Sequence, residues 1–302
     1  MKKLAAIAFI TISAAVAVGY VMTMKDEPDI FAELDLKRDR LLEQLAASPV
    51  VTVIGIVDAT GSGGGRGRGD DLWTLSFAFA AWHLEDSEVR TDRLSIQRQV
   101  SDDELKQHMD RIKPYKILRA RIHLAEATES GKAHGLLIDN ADILESDESL
   151  NEWVIRLQEP VTLEDELFGK LTLNKRVNWY EAEAMWNGLH VKIQLSVNEQ
   201  DDAGESLKTA HALWQSQDEW DQRIHDFAVQ KLLPLKNDTW LDDDELEVTA
   251  DQFKDRMTLE AVTVYSDGSF AFWHNDGDLF FGHAIMIKGT LSDGPTDADI
   301  PG

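Results

Sequence analysis

No cysteine occurs among the 302 residues, which removes disulfides, thiolate metal ligands and a cysteine nucleophile together, although it does not identify a compartment. Basic side chains are scarce: 30 Lys and Arg stand against 55 Asp and Glu, a net charge of −25. Such a chain repels phosphate backbones and anionic headgroups, and no basic stripe offsets the deficit, so nucleic acid is not an expected partner. Absent too are a Gly-x-Ser-x-Gly elbow, a His-Glu-x-x-His pair, a Gly-Lys-Ser/Thr phosphate loop and a dinucleotide fingerprint. Catalytic groups drawn from distant positions leave no such trace, so the reading leans away from an enzyme without excluding one.

What is present is globular in character: 43% hydrophobic and 28% charged residues, on a chain long enough for two domains with separate cores. At the N-terminus, Lys2 and Lys3 precede an uncharged run from Leu4 to Met22, 19 residues that as a helix would rise about 28 Å, close to the roughly 30 Å hydrocarbon layer. This segment, residues 1–24, reads as a transmembrane anchor. Small residues at Ala15-Val16-Ala17 also allow a cleaved signal peptide. Asp26, Glu27 and Asp29 follow it, so in both readings the positive side stays in the cytoplasm. Residues 25–302 are then extracytoplasmic, either held at the cytoplasmic membrane or released.

Residues 25–48 read as a juxtamembrane helix, with Ile30, Phe31, Leu34, Leu41, Leu42 and Leu45 at helical spacing. Over 49–160 the pattern changes. Val50–Val57, Leu72–Trp82 and Leu94–Val100 read as strands. Ser101-Asp102-Asp103-Glu104 is a capping box that opens a helix, and strands Ile117–Leu124 and Ala133–Ile143 follow. The order strand, strand, strand, helix, strand, strand resembles the OB-fold, a small five-stranded barrel. Residues 161–302 read as an α+β domain, an antiparallel sheet with packed helices. Its strands are Lys170–Leu173, Trp179–Trp186, Leu189–Val197, Leu259–Tyr265, Ser269–His274 and His283–Lys288, with a hairpin turn at Asn187-Gly188. One helix spans 205–216. A second capping box at Ser216-Gln217-Asp218-Glu219 starts another, which ends before Pro234. The last ten residues hold little apolar surface and are expected to fray.

The C-terminal half carries Phe168-Gly169-Lys170-Leu171, Trp186-Asn187-Gly188, Trp220, Trp240, Asp267-Gly268, Leu279-Phe280-Phe281-Gly282-His283-Ala284-Ile285, Gly289 and a closing Ala298, Ile300 and Gly302. In order and spacing these resemble a bacterial family known as domain of unknown function 2262. The resemblance implies a fold unit over about 161–302 and no reaction.

Three constellations are candidates for chemistry. Gly61 to Gly69 is a glycine-rich run with Arg66 and Arg68, which could meet an anion beside a barrel face or simply form a flexible connector. His274, Asp276, Asp278 and His283 cluster in one hairpin and could hold a divalent ion, the one cofactor these residues allow. Asp276-Gly277 is equally what a tight turn requires. Among the nine tryptophans, Trp179, Trp186, Trp214, Trp220 and Trp273 fall at core-compatible positions. Trp153 and Trp240 lie near element ends, where an exposed indole would mark a binding surface. Residues 201–260 hold 16 acidic against 6 basic side chains, without the alternation and central glycine of a calcium loop. The leading expectation is a non-catalytic module that binds a protein partner, a basic one by charge complementarity. The alternatives are a metal-dependent hydrolase built on the His274 cluster and an OB-type small-ligand or oligosaccharide binder.

Overall fold

A computed structural model describes residues 30–302 apart from 68, 86, 127, 129, 130, 243 and 244, with side chains described from residue 36 onward. The apolar segment 4–22 and Arg68 therefore lie outside the described residues. No helix among the described residues is long and apolar enough to cross a membrane. The chain divides into two compact units between Glu159 and Pro160.

The described part of the first unit opens with helix α1 (Ile30–Ala46), followed by strands β1 (Val50–Gly65), β2 (Trp73–Leu84) and β3 (Leu94–Val100). Helix α2 (Asp102–Arg111) comes next, then strands β4 (Ile117–Ala125), β5 (Ala133–Leu137) and β6 (Asp142–Leu144) and helix α3 (Asn151–Gln158). β1 is bulged between Ile56 and Ser62 and is long enough to pair with both β2 and β4, which closes the barrel. The strand order is β1-β2-β3-β5-β4, with β3 and β5 parallel and β6 added outside β4. Val53, Leu75, Phe79, Leu94, Ile96, Leu118 and Ile122 fill the interior; each such burial is worth roughly 1.5–3 kcal/mol. On the outside, Ile54, Ile56 and Ile117 are covered by Leu150, Trp153, Val154 and Leu157 of the α3 region. The Ser101 capping box forms as expected, with Glu104 accepting from the Ser101 amide at 2.9 Å. The single strand expected over 133–143 is instead two, β5 and β6, because the chain leaves β5 to pair with the far part of β4.

The second unit is an eight-stranded sheet: β7 (Thr162–Asp165), β8 (Gly169–Asn174), β9 (Trp179–Trp186), β10 (Leu189–Ser196), β11 (Thr258–Val264), β12 (Ser269–Asn275), β13 (Ile285–Thr290) and β14 (Gly294–Asp299) lie in chain order. Every pairing is antiparallel except β10 with β11, which are parallel. That pair needs a crossover, and α4 (Gly204–Gln215), α5 (Gln217–Thr239) and α6 (Ala250–Arg256) supply it. The helices pack on one face of the sheet around Trp186, Leu213, Trp214, Trp220, Ile224, Phe270 and Phe272.

Several expectations are corrected here. The C-terminal residues do not fray: β14 pairs with β13 from Thr290–Gly294 to Met286–Asp299. Ser216 precedes α5 but makes no side-chain cap; its backbone, at φ −133° and ψ 44°, turns directly out of α4. A capping box forms instead at Thr249 and Gln252, before α6. Helix α5 runs on through Pro234 for a further turn, with Lys236 and Trp240 packed inward at its end.

Candidate docking surface around Trp240 and Phe281

The loop between β12 and β13 is organised by one carboxylate. Asp276 is buried and accepts the amides of Asp278 at 3.2 Å, Phe280 at 2.6 Å and Gly282 at 3.1 Å. Asn275 accepts the Gly277 amide at 2.9 Å, and Arg256 donates to the Gly277 carbonyl at 2.7 Å. Gly277 is obligatory, because a Cβ there would meet the Arg256 carbonyl at 2.5 Å. Held this way, the loop places Asp278 and Phe281 in the left-handed region at φ 65° and 57°. Such a conformation costs a non-glycine residue on the order of 1 kcal/mol and persists only where its surroundings impose it.

The consequence is an aromatic pair of opposite exposure. Phe280 points inward and is fully buried, edge-on to Trp240 at 5.5 Å and to Phe253 at 6.0 Å. Phe281 points outward with 56% of its surface in solvent, its ring 5.5 Å from Trp240 and tilted 37° to it. The His283 ring stands edge-on to the same indole at 5.5 Å. Leu246, 86% exposed, and Leu235 are further apolar side chains on the segments that flank Trp240.

Beneath this group lies Lys236, which has no exposed surface. Its ammonium donates to the Trp240 carbonyl at 2.8 Å and to Glu245, and it lies 6.0 Å from the Phe281 ring. Glu245 also accepts the Asp242 amide and pairs with Arg256 at 3.4 Å. The Lys236 hydrogen bond holds the Glu245 carboxyl below the usual carboxylate range. The network pins the loop after α5 to α6 and to the β12–β13 loop, so Trp240 is fixed from both sides. Asp238, Asp242, Glu247 and Asp278 are exposed on the same segments, which gives the aromatic group an acidic rim.

The proposed metal ligands are not brought together. Asp276 is committed to three backbone amides, Asp278 is exposed and His283 lies against Trp240. His274 is fully buried and faces His225 of α5, with ring centroids 5.7 Å apart. Burial pushes its pKa down to about 3, so it is a neutral core imidazole. No group of three or more His, Asp or Glu side chains among the described residues is arranged to hold a metal. The turn requirement accounts for Asp276 and Gly277 in this hairpin.

The first five residues of the glycine run are strand rather than flexible connector. Gly61 to Gly65 belong to β1, paired with β2 up to Gly65–Thr74. A Cβ on Gly64 would meet Leu105 of α2 at 2.7 Å, so the missing side chain lets the helix sit on the strand. Arg66 stacks over Trp73 at 4.7 Å and lies 3.9 Å from Asp102, which accepts the Trp73 indole N–H. These contacts orient the guanidinium, whose side chain stays 40% exposed. Trp153 packs on the barrel exterior beneath Arg156, whereas Trp179 and Trp273 lie on the sheet face opposite the core rather than in it.

Trp240 was thus legible as a candidate from its position alone. Phe281 was not, since Phe280-Phe281 reads as two core residues until the loop conformation turns them apart. Lys236 sits on the buried face of α5 and gave no signal, because a lysine there is ordinarily taken as solvent-facing.

Residues 165–300 match the model of a family described as an uncharacterized protein conserved in bacteria, domain of unknown function 2262. Residues 38–157 match a second model, domain of unknown function 7021. No curated protein matches the chain. The second unit is therefore similar to domain of unknown function 2262, as its Phe168–Gly169, Asn187–Gly188 and Leu279–Ile285 segments indicated, and the barrel unit is similar to domain of unknown function 7021.

Proposed function

We propose that this is a non-catalytic binding module whose second unit docks a basic protein segment on the Trp240–Phe281–His283 surface. The observation that carries the reading is Phe281: a large aromatic side chain held in a left-handed conformation and left 56% exposed beside a fixed indole. Packing on Trp240 covers less than half of the Phe281 side chain, whereas an interface would gain a rigid apolar anchor from the rest. The acidic rim and the net charge of −25 favour lysine and arginine around the partner's own apolar anchor. In this reading the barrel is of OB type, supported by its strand order and the helix between its third and fourth strands. Residues 4–22 would anchor the chain in the cytoplasmic membrane or export it, placing the docking surface outside the cytoplasm.

Peptide display against the purified full chain tests this. Selected peptides are expected to combine an aromatic or aliphatic anchor with Lys or Arg and to bind the Phe281→Ala variant at least about tenfold more weakly. Peptides that bind the wild-type chain and Phe281→Ala equally would refute the surface.

A further inference from the structure

The face of the second sheet away from the helices carries a linked polar row. Asn174 of β8 donates to Glu181 of β9 at 3.2 Å, and Gln194 of β10 donates to the same carboxylate oxygen at 3.2 Å. Thr263 of β11 donates to the Gln194 side-chain oxygen at 3.0 Å and accepts the indole N–H of Trp273 on β12 at 3.2 Å. Lys192 pairs with the other Glu181 oxygen at 3.2 Å. Five neighbouring strands thus each contribute one member to a continuous chain of hydrogen bonds. Burial opposes the charge on Glu181, but its donors Lys192, Asn174 and Gln194 prevail and keep the carboxyl below its usual range.

Aromatic rings border this row. Trp273 ends it, and Trp179 and Tyr265 stand edge-on to one another at 6.1 Å farther along the same face. Small side chains flank the row on one side, with Ala261 opposite Trp273 and Ala271 opposite Thr263, while Met286 is the neighbour of Trp273 on β13. Trp179, Tyr265 and Trp273 are half-buried, and Lys192 keeps 44% of its side chain exposed.

The geometry points to a binding site for a neutral polyhydroxylated ligand, an oligosaccharide, on this face, with Trp273 as a stacking platform, Lys192, Glu181 and Gln194 as its hydrogen-bonding edge, and the buried Thr263 linking that edge to the Trp273 indole. Charge narrows the class: Lys192 occupies the Glu181 carboxylate that a cation would seek, and the exposed Glu183 opposite the same lysine in the register leaves an anion no net attraction. An apolar ligand would cover the Gln194 amide, the Lys192 ammonium and the Glu181 carboxylate without replacing their bonds to water, which disfavours it. Hydroxyl groups can both donate and accept along the row, while the C–H face of a sugar ring lies on indole. The row is held in place before any ligand arrives, which lowers the ordering cost of binding.

The test is titration of the full chain with cellohexaose, maltohexaose and chitohexaose, followed by tryptophan fluorescence and calorimetry. At least one should bind saturably. Trp273→Ala and the isosteric Glu181→Gln should each weaken it about tenfold or more, while Phe281→Ala should bind as the wild-type chain does. Two results would overturn the assignment: no saturable response up to about 10 mM, a range that reaches binding weaker than −4 kcal/mol, from a chain with intact thermal unfolding; or unchanged binding by both Trp273→Ala and Glu181→Gln.

Discussion

The two units treat strained and polar positions in opposite ways. In the barrel unit, the features that look functional in sequence are consumed by the fold. The glycines of β1 make room for α2 and for the Phe79 ring, Arg66 lies over Trp73 beside Asp102, and Asp58 accepts both Arg93 and the Thr60 amide. In the second unit, a buried network is built to hold an exposed group: Asp276, Lys236 and Glu245 fix a loop whose product is Phe281 in solvent. In the barrel the paired polar groups hold the fold together, whereas order imposed on the exposed Phe281 leaves an apolar surface for a partner to cover.

The largest effect is expected with pH: burial lowers the pKa of His108 and His134 in the barrel as well, but furthest that of His274 in the second unit. Burial lowers the folded-state pKa of His274 to about 3, below the 6.5 of an unfolded imidazole, so the unfolded chain binds the extra proton. Stability of the second unit is then present above pH 6.5 and is lost as pH falls toward 3, by up to about 1.4 kcal/mol per pH unit. His225 acts in the other direction. Burial opposes its charge, but the Asp221 hydrogen bonds override burial and raise its pKa, so its contribution is present below 6.5 and fades as pH rises. Denaturant unfolding across this range should show the acid loss, and His274→Phe should flatten it. An unchanged acid limb in that variant would contradict the assignment.

Next in size is the support beneath Trp240. Glu245→Ala leaves the fully buried Lys236 ammonium without its carboxylate and is expected to cost about 3 kcal/mol in the second unit only. Urea melts that resolve the two units would check this. The matching test in the barrel is Gly55→Ala, whose new methyl would overlap the fully buried Phe79 ring; about 2 kcal/mol should be lost from the first unit. Gly64→Ala should cost about 1 kcal/mol, because the Leu105 methyls it meets can shift. If Gly64→Ala proved as damaging as Gly55→Ala, the α2 contact would be tighter than described.

How much of this was legible follows from where each element's stability resides. The barrel order and the Ser101 box could be read because β-branched alternation and capping are local. The Asn187-Gly188 hairpin followed for the same reason, with both residues at positive φ, 45° and 85°. Strand β14 could not be read: Gly294-Pro295-Thr296-Asp297-Ala298-Asp299 has no apolar alternation, and it is held by backbone pairing to β13 and by packing against α5. The turn of α5 beyond Pro234 is likewise tertiary, secured by Lys236 and Trp240. In the candidate site, Trp240 showed in sequence as an indole at an element end. Phe281 showed only after Asp276 had set the loop, since no spacing rule reports which of two adjacent phenylalanines faces out.

The most direct test of the docking surface measures two properties of Phe281→Gly: unfolding free energy, and affinity for a display-selected basic peptide. Glycine relieves the left-handed strain at this position, so stability should hold or rise by up to about 1 kcal/mol, while affinity should fall at least about tenfold. A loss of more than about 2 kcal/mol in stability with peptide binding unchanged would make Phe281 a structural residue and contradict the account.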